Sequence, residues 1–158
     1  MDKQSVYKRI MEVVSGVASD LGAKGVALFS ASGLLLASNF SDEEAEQKLR
    51  LATQAVMVLD RLLGRSLGNP KKTLILDASG EMLVVKELGE GGLRCYLSML
   101  IPGEIPLGIA MLESEIVDHE LRRLAKQRDR RDAVEELLSK LESHPLFKLL
   151  GMRGEKDG

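Results

Sequence analysis

Two apolar runs flank a Ser-Gly pair in the stretch Gly25-Val26-Ala27-Leu28-Phe29-Ser30-Ala31-Ser32-Gly33-Leu34-Leu35-Leu36-Ala37-Ser38. Each run has the length and composition of a β-strand, and Ser32-Gly33 is a turn signal. Because so few residues join the runs, they predict an antiparallel hairpin; a parallel pair would need a long crossover connection.

A long amphipathic helix is predicted directly after the hairpin, from Asp42 to Leu67. Ser41 stands at a candidate N-cap with Glu44 three residues later, which is the pattern of a capping box. Apolar residues then recur every three or four positions: Ala45, Leu49, Ala52, Val56, Leu59 and Leu63. A second apolar stripe runs beside the first and consists of Leu51, Ala55, Val58 and Leu62. One stripe is enough to dock on a sheet, so the second favours another covering surface.

Flanking patterns supply the other elements. A helix is predicted up to Leu21, since its apolar stripe is followed by Gly22. Three strands are predicted after the central helix, at Thr73–Asp77, Glu81–Lys86 and Leu93–Ile101, and a last helix begins near Pro106. Its apolar stripe stops at the charged run 126–132 and resumes at Val134.

The predicted order is therefore α-β-β-α-β-β-β-α. Several strands are apolar at consecutive positions, which is typical of strands covered on both faces. We therefore expect an α/β (α+β) protein: a three-layer α/β/α sandwich around a five-stranded antiparallel sheet. The expected organisation is a domain over residues 1–125, a C-terminal helical extension over 126–150 and a disordered tail over 151–158.

Composition excludes several function classes. The 158 residues include 22 basic and 24 acidic side chains, a net charge of −2, which provides no overall field for nucleic acid or an anionic membrane. Aromatic residues are only 3%, and one cysteine cannot form an intramolecular disulfide. Neither a signal peptide nor an apolar stretch of membrane-spanning length is recognisable. We expect a cytoplasmic protein with no nucleic-acid partner and no membrane insertion.

Motifs for catalysis, metals and cofactors are also missing from the sequence. Residues 64–71 do not match a phosphate-binding loop, and Pro70 removes a backbone donor from it. His119, His144 and Cys95 have no metal-ligand spacing, and Cys95 lies in an apolar strand. The basic residues between 122 and 131 alternate with acidic ones, which favours a solvated helix. We expect no enzyme activity, no metal and no cofactor.

The element order and three local motifs resemble the roadblock/dynein light chain family over roughly residues 4–125, in particular its prokaryotic members that regulate gliding polarity. The motifs are the hairpin 25–38, the central helix 42–67, and the segment Ile105-Pro106-Leu107-Gly108-Ile109-Ala110-Met111-Leu112 at the start of the last helix.

This resemblance implies a homodimeric, non-enzymatic scaffold for protein–protein interaction that binds and regulates a Ras-like small GTPase. It implies a partner-binding face on the central helix formed by Gln54, Met57, Val58 and Arg61. The implied dimer interface contains Leu51, Ala55, Leu62, Leu74 and Leu76. Near the C-terminus, a contact patch would contain Leu146, Phe147 and Leu150, which could instead pack on the protein's own sheet.

Two other functions stay open at the level of sequence. One is a small-molecule sensor domain of the GAF or PAS type, since those domains also combine antiparallel sheets with helices on both faces. The other is a structural subunit of a larger assembly.

Overall fold

The computed structural model describes residues 3–64, 73–90 and 94–142. Its elements in chain order are α1 (Lys3–Leu21), β1 (Gly25–Ser30), β2 (Leu35–Phe40), α2 (Glu43–Leu63), β3 (Thr73–Ala78), β4 (Glu81–Leu88), β5 (Cys95–Pro102) and α3 (Leu107–Glu142). The predicted order of helices and strands is confirmed.

The five strands form one antiparallel sheet in the order β2-β1-β5-β4-β3. The hairpin β1–β2 forms one edge, and the hairpin β3–β4 forms the other. Strand β5 joins them by pairing with both β1 and β4. Strand β3 is therefore an edge strand.

Helices cover both faces of the sheet. Alternate residues of a strand point to opposite faces, and β5 follows this rule. Its residues Cys95, Leu97, Met99 and Ile101 pack in one cluster with α1 and the first part of α3. Tyr96 and Leu100 pack on the other face, in clusters with residues of α2. The three-layer arrangement is thus confirmed, and α2 is the helix that covers the second face among the described residues.

The structure divides into two compact units, Met1–Arg123 and Leu124–Gly158. The first unit contains the sheet, α1, α2 and the start of α3. In the second, Arg131 pairs with Glu135 at 3.2 Å, and Lys140 pairs with Glu136 at 3.3 Å. The expected domain limits at residues 125 and 150 and the expected disordered tail stay predictions, since residues 143–158 lie outside the described ranges.

The start of α2 differs by one residue from the expected one. The N-cap is Asp42 and not Ser41, and Asp42 Oδ1 accepts a hydrogen bond from the Ala45 backbone N–H at 2.8 Å. The Ser41 N–H donates a hydrogen bond to the Lys24 carbonyl at 2.8 Å, which holds Ser41 against the segment that precedes β1. The expected end at Leu67 lies outside the described residues.

Charged side chains join α1 to the first part of α3. Arg9 Nη2 donates to Glu120 Oε1 at 2.9 Å, and Arg123 lies 2.8 Å from the same carboxylate. Arg9, and then Arg123, hold the pKa of Glu120 below its usual value. At the other end of α1, Asp20 faces Glu113, and burial together with Asp20 raises the pKa of Glu113.

We expect Glu113→Gln to raise the melting temperature at pH 7. Because the pKa of Glu113 is raised in the folded state, the folded protein binds this proton more tightly than the unfolded chain does. Its contribution to stability therefore falls as the pH rises from the unfolded pKa, about 4.3, through the folded one. Gln removes a charge that is unfavourable above this window. Circular dichroism melts between pH 3.5 and pH 8 measure the effect.

Glu120→Gln is the matched control with the opposite sign. The pKa of Glu120 is lowered, so its stabilising effect is present above the unfolded pKa and is lost as the pH falls through the folded one. We expect Glu120→Gln to lower the melting temperature at pH 7. The difference from the unsubstituted chain should shrink as the pH falls towards 3.5. An equal effect of both substitutions at pH 7 would contradict this assignment.

Candidate interaction surface

The outward surface of α2 carries two parallel stripes of different chemistry. Successive residues of an α-helix are rotated by about 100°, so residues three and four apart share a face. Facing the sheet, Ala45, Leu49, Ala52, Thr53 and Val56 are buried. On one flank, at spacings of four, three and four, a polar stripe contains Arg50, Gln54, Met57 and Arg61. The opposite flank carries an apolar stripe of Leu51, Ala55, Val58 and Leu62.

The polar stripe forms one wall of a surface cavity of about 220 Å³. The opposite wall comes from β1 and the β1–β2 turn, through Phe29, Ser32 and Gly33. The guanidinium of Arg50 lies over the ring of Phe29, 5.6 Å from its centroid, and Arg50 Nη2 donates to Glu46 Oε1 at 3.2 Å. Arg50 is therefore held in place at one end of the cavity.

Local hydrogen bonds shape the β1–β2 turn. Ser30 Oγ accepts from the backbone N–H of Ser32 at 3.3 Å and of Leu34 at 3.1 Å. Gly33 has a φ of +91°, and a Cβ at this position would lie 3.4 Å from Met57 Cε. That distance is an ordinary van der Waals contact, so it is the positive φ of this turn, and not a lack of space, that favours glycine.

The apolar stripe is largely exposed to solvent. Leu51, Val58 and Leu62 have 66%, 50% and 71% of their surface accessible. The side chain of Lys48 on this flank reaches Glu81 of β4 at 3.4 Å, so the stripe lies on the side of α2 that faces β4 and β3. At the edge, Leu76 of β3 is 52% exposed, and Leu74 is partly buried against the cluster under α2.

Among the described residues, three polar contacts hold α2 on the sheet. In the middle, the buried hydroxyls of Thr53 and Ser98 are hydrogen-bonded, and Thr53 Oγ1 also donates to the Leu49 carbonyl at 2.7 Å. Towards the C-terminal end, Arg94 Nη2 donates to Asp60 Oδ2 at 3.1 Å. The same guanidinium lies 2.6 Å from Glu87, a buried carboxylate of β4.

The third contact is at the N-terminal half of α2, where Glu81 of β4 lies between two cations. Lys24 is 3.0 Å from one of its oxygens, and Lys48 of α2 is 3.4 Å from the other. Lys24, and then Lys48, hold the pKa of Glu81 below its usual range. The helix is thus fixed at its start, middle and end.

The structure brings together most of the residues expected from the sequence. Gln54, Met57 and Arg61 line the cavity, whereas Val58 lies beside it, closer to Leu51 and Leu62. Leu51, Ala55 and Leu62 are exposed on the flank of α2 that faces β3. On β3 itself, Leu76 is exposed and Leu74 is partly buried. Leu146, Phe147 and Leu150 lie outside the described residues.

Sequence reasoning missed Arg50, Phe29, Ser32 and Gly33 as parts of the cavity. Arg50 could have been found, because it precedes Gln54 by one helical turn and completes the spacing of the polar stripe. The turn residues carried no such signal, since their distance from α2 depends on packing.

Other kinds of site have no support in the part of the chain that the structure describes. Within residues 3–64, 73–90 and 94–142, no group of three or more His, Cys, Asp and Glu side chains could hold a metal ion. Cys95 is buried in the sheet. None of the described helices combines the length and apolarity needed to cross a membrane.

No family model matches the sequence, and no curated protein is similar to it. Solved structures do match. MglB of Myxococcus xanthus has a TM-score of 0.66 and 18% identity, covering 80% of this chain and 93% of that chain. The gliding protein MglB of Thermus thermophilus has a TM-score of 0.63 and 21% identity, covering 77% and 92%. A Roadblock/LC7 domain from Streptomyces avermitilis has a TM-score of 0.60 and 16% identity, covering 73% and 97%.

The chain has the roadblock/LC7 fold. The resemblance drawn from the hairpin, the central helix and the start of the last helix is therefore confirmed, including its likeness to gliding proteins. At these identities the likeness is one of fold.

We expect Gly33→Ala to destabilise the protein by about 1–2 kcal/mol, because a residue with a Cβ is disfavoured at positive φ. Gly16→Ala is the matched control. Gly16 lies in α1 with open space around it, so the same substitution should stabilise by about 0.5–1 kcal/mol. Urea unfolding of both variants measures the difference. A neutral Gly33→Ala would contradict the role of this turn.

Proposed function

We propose that the chain is a homodimeric, non-enzymatic interaction module that binds a Ras-like small GTPase. The observation that carries the proposal is the pair of stripes on α2: one apolar and exposed, the other polar and next to a cavity. A single helix therefore offers one surface suited to permanent association and another suited to a second, different partner.

The apolar stripe and β3 support a dimer. Leu51 and Leu62 would remain exposed in a monomer, on the flank of α2 that faces β3. Within the described residues, β3 pairs only with β4, so its outer edge leaves backbone N–H and C=O groups open. A second copy related by a two-fold axis would cover the stripe with its own stripe and pair the two β3 edges.

The GTPase part of the proposal rests on the resemblance and on the shared fold. The polar stripe lies on the flank of α2 away from β3, so it would stay accessible in such a dimer. A small-molecule sensor gains no support from this cavity, because its volume of about 220 Å³ is below the roughly 300–1,000 Å³ typical of ligand pockets.

We expect the full chain to behave as a dimer at micromolar concentration in light scattering coupled to size exclusion. Leu62→Glu places a charge in the apolar stripe and should shift the mass towards the monomer. Leu76→Glu on the β3 edge should act in the same direction.

The matched control is Leu112→Glu on α3. Leu112 is also highly exposed, but it lies on a different helix. This variant should keep the mass of the unsubstituted chain. A monomeric mass for the unsubstituted chain, or dissociation by all three variants alike, would overturn the dimer proposal.

We expect a pull-down with the tagged full chain, from lysate of its source organism, to recover a Ras-like GTPase preferentially in the presence of a GTP analogue. The comparison arm contains GDP. Gln54→Trp adds bulk at the centre of the polar stripe and should reduce the recovery without changing the dimer mass.

Gln127→Trp is the control for that substitution, because Gln127 is also exposed but lies in the second unit. It should leave the recovery unchanged. Equal recovery of the GTPase with the GTP analogue and with GDP would support the binding but show that it does not depend on the nucleotide. Absence of a GTPase from both arms would overturn this part of the proposal.

A further inference from the structure

We infer that the cavity beside α2 is a groove for a short acidic peptide segment of the binding partner, with its carboxylates placed against Arg50 and Arg61. This inference rests on the proposed function for the identity of the natural partner, although its test does not need that partner. The argument uses the charge, the orientation and the spacing of the groups that line the cavity.

The charge of the cavity is unbalanced. Among the described residues, its lining contains two guanidinium groups, from Arg50 and Arg61, and no carboxylate. The turn that forms the opposite wall contributes Ser32 and Gly33, which are uncharged. Among the described residues, the only acidic group bonded to either arginine is Glu46, which lies one helical turn from Arg50. A net positive charge therefore faces the groove.

The arginines differ in how they are held. Arg50 is fixed by Glu46 on one side and by the ring of Phe29 below it, so its remaining N–H donors are oriented before any ligand arrives. Arg61 is exposed, and no ion pair joins it to another described residue. A fixed and an unrestrained guanidinium at the two ends of one groove can clamp a ligand that bears two carboxylates, because each pair can be bidentate.

The spacing identifies the length of the ligand. Arg50 and Arg61 are three helical turns apart, a rise of about 16 Å at 1.5 Å per residue. An extended peptide advances about 3.3 Å per residue, and its alternate side chains share one face. Two acidic side chains six positions apart, about 20 Å, therefore come close to this distance while both point towards α2. Between them, Gln54 and Ser32 supply hydrogen-bonding groups suited to a peptide backbone.

The test is an NMR titration of the ¹⁵N-labelled full chain with a seven-residue peptide, acetylated and amidated, that carries glutamate at both ends and serine and glycine between. The matched ligand has glutamine at both ends. A third arm contains inorganic phosphate. We expect the glutamate peptide to shift the amide signals of Ser32, Gly33 and Gln54 in a saturable way, and the glutamine peptide to leave them nearly unchanged.

Arg61→Gln should weaken the binding of the glutamate peptide by about fivefold or more, as the loss of a charge-assisted hydrogen bond predicts. Arg130→Gln is the matched control, because it removes the same charge from an exposed position in the second unit. It should leave the affinity unchanged.

Equal shifts with both peptides, equal weakening in both variants, or tighter binding of phosphate than of the peptide would each overturn the inference. The outcome is independent of dimer formation and of GTPase capture. If the peptide does not bind but the pull-down recovers a GTPase, the acidic groove is wrong and the proposed function stands. If the peptide binds but no GTPase is recovered, the groove stands and the GTPase proposal is wrong.

Discussion

The position of α2 on the sheet depends on a buried hydrogen bond between the hydroxyls of Thr53 and Ser98. Thr53 donates its own proton to the Leu49 carbonyl, so Ser98 must act as the donor to Thr53. Both hydroxyls are buried, and each would cost roughly 1–3 kcal/mol if it were left unsatisfied. The apolar residues from Ala45 to Val56 already select the side of the helix that is buried. The hydrogen bond joins two specific residues, so it limits the rotation and the position of the helix more narrowly.

This rotation decides which residues of α2 become surface. With Thr53 pointing into the sheet, Gln54 and Ala55 are exposed on its two flanks, and the polar and apolar stripes continue from them along the helix. The ion pair between Lys48 and Glu81 and the pair between Asp60 and Arg94 add further constraints near the two ends of the helix. Together these contacts keep the helix from sliding, so the distance between Arg50 and the β1–β2 turn is also set.

Periodicity along the sequence predicts features that depend on a single helix, such as which face of α2 is buried. The apolar spacing predicts the buried face of α2 correctly from Ala45 to Val56, but Leu59 and Leu63, predicted on the same stripe, are each 45% exposed. The second stripe of Leu51, Ala55 and Leu62 follows from the helical repeat of 3.6 residues. Ser41 is the N-cap that the sequence predicts, whereas the structure has Asp42 at this position, and both residue types can cap a helix. The hydrogen bond from Ser41 to Lys24 made the difference, and it connects segments that are distant in sequence.

The cavity could not be predicted in the same way, because its walls come from different elements. Phe29, Ser32 and Gly33 approach Arg50 and Met57 only after β1 has paired with β5 and α2 has packed across both strands. Gly33 permits the turn that forms one wall through its positive φ. Arg61 and Leu62 are neighbours in sequence, and helix geometry alone places them about 100° apart around the helix. Because the helix is fixed in one rotation, the polar stripe with Arg61 always lies beside the β1–β2 turn, and the apolar stripe with Leu62 always lies towards β3.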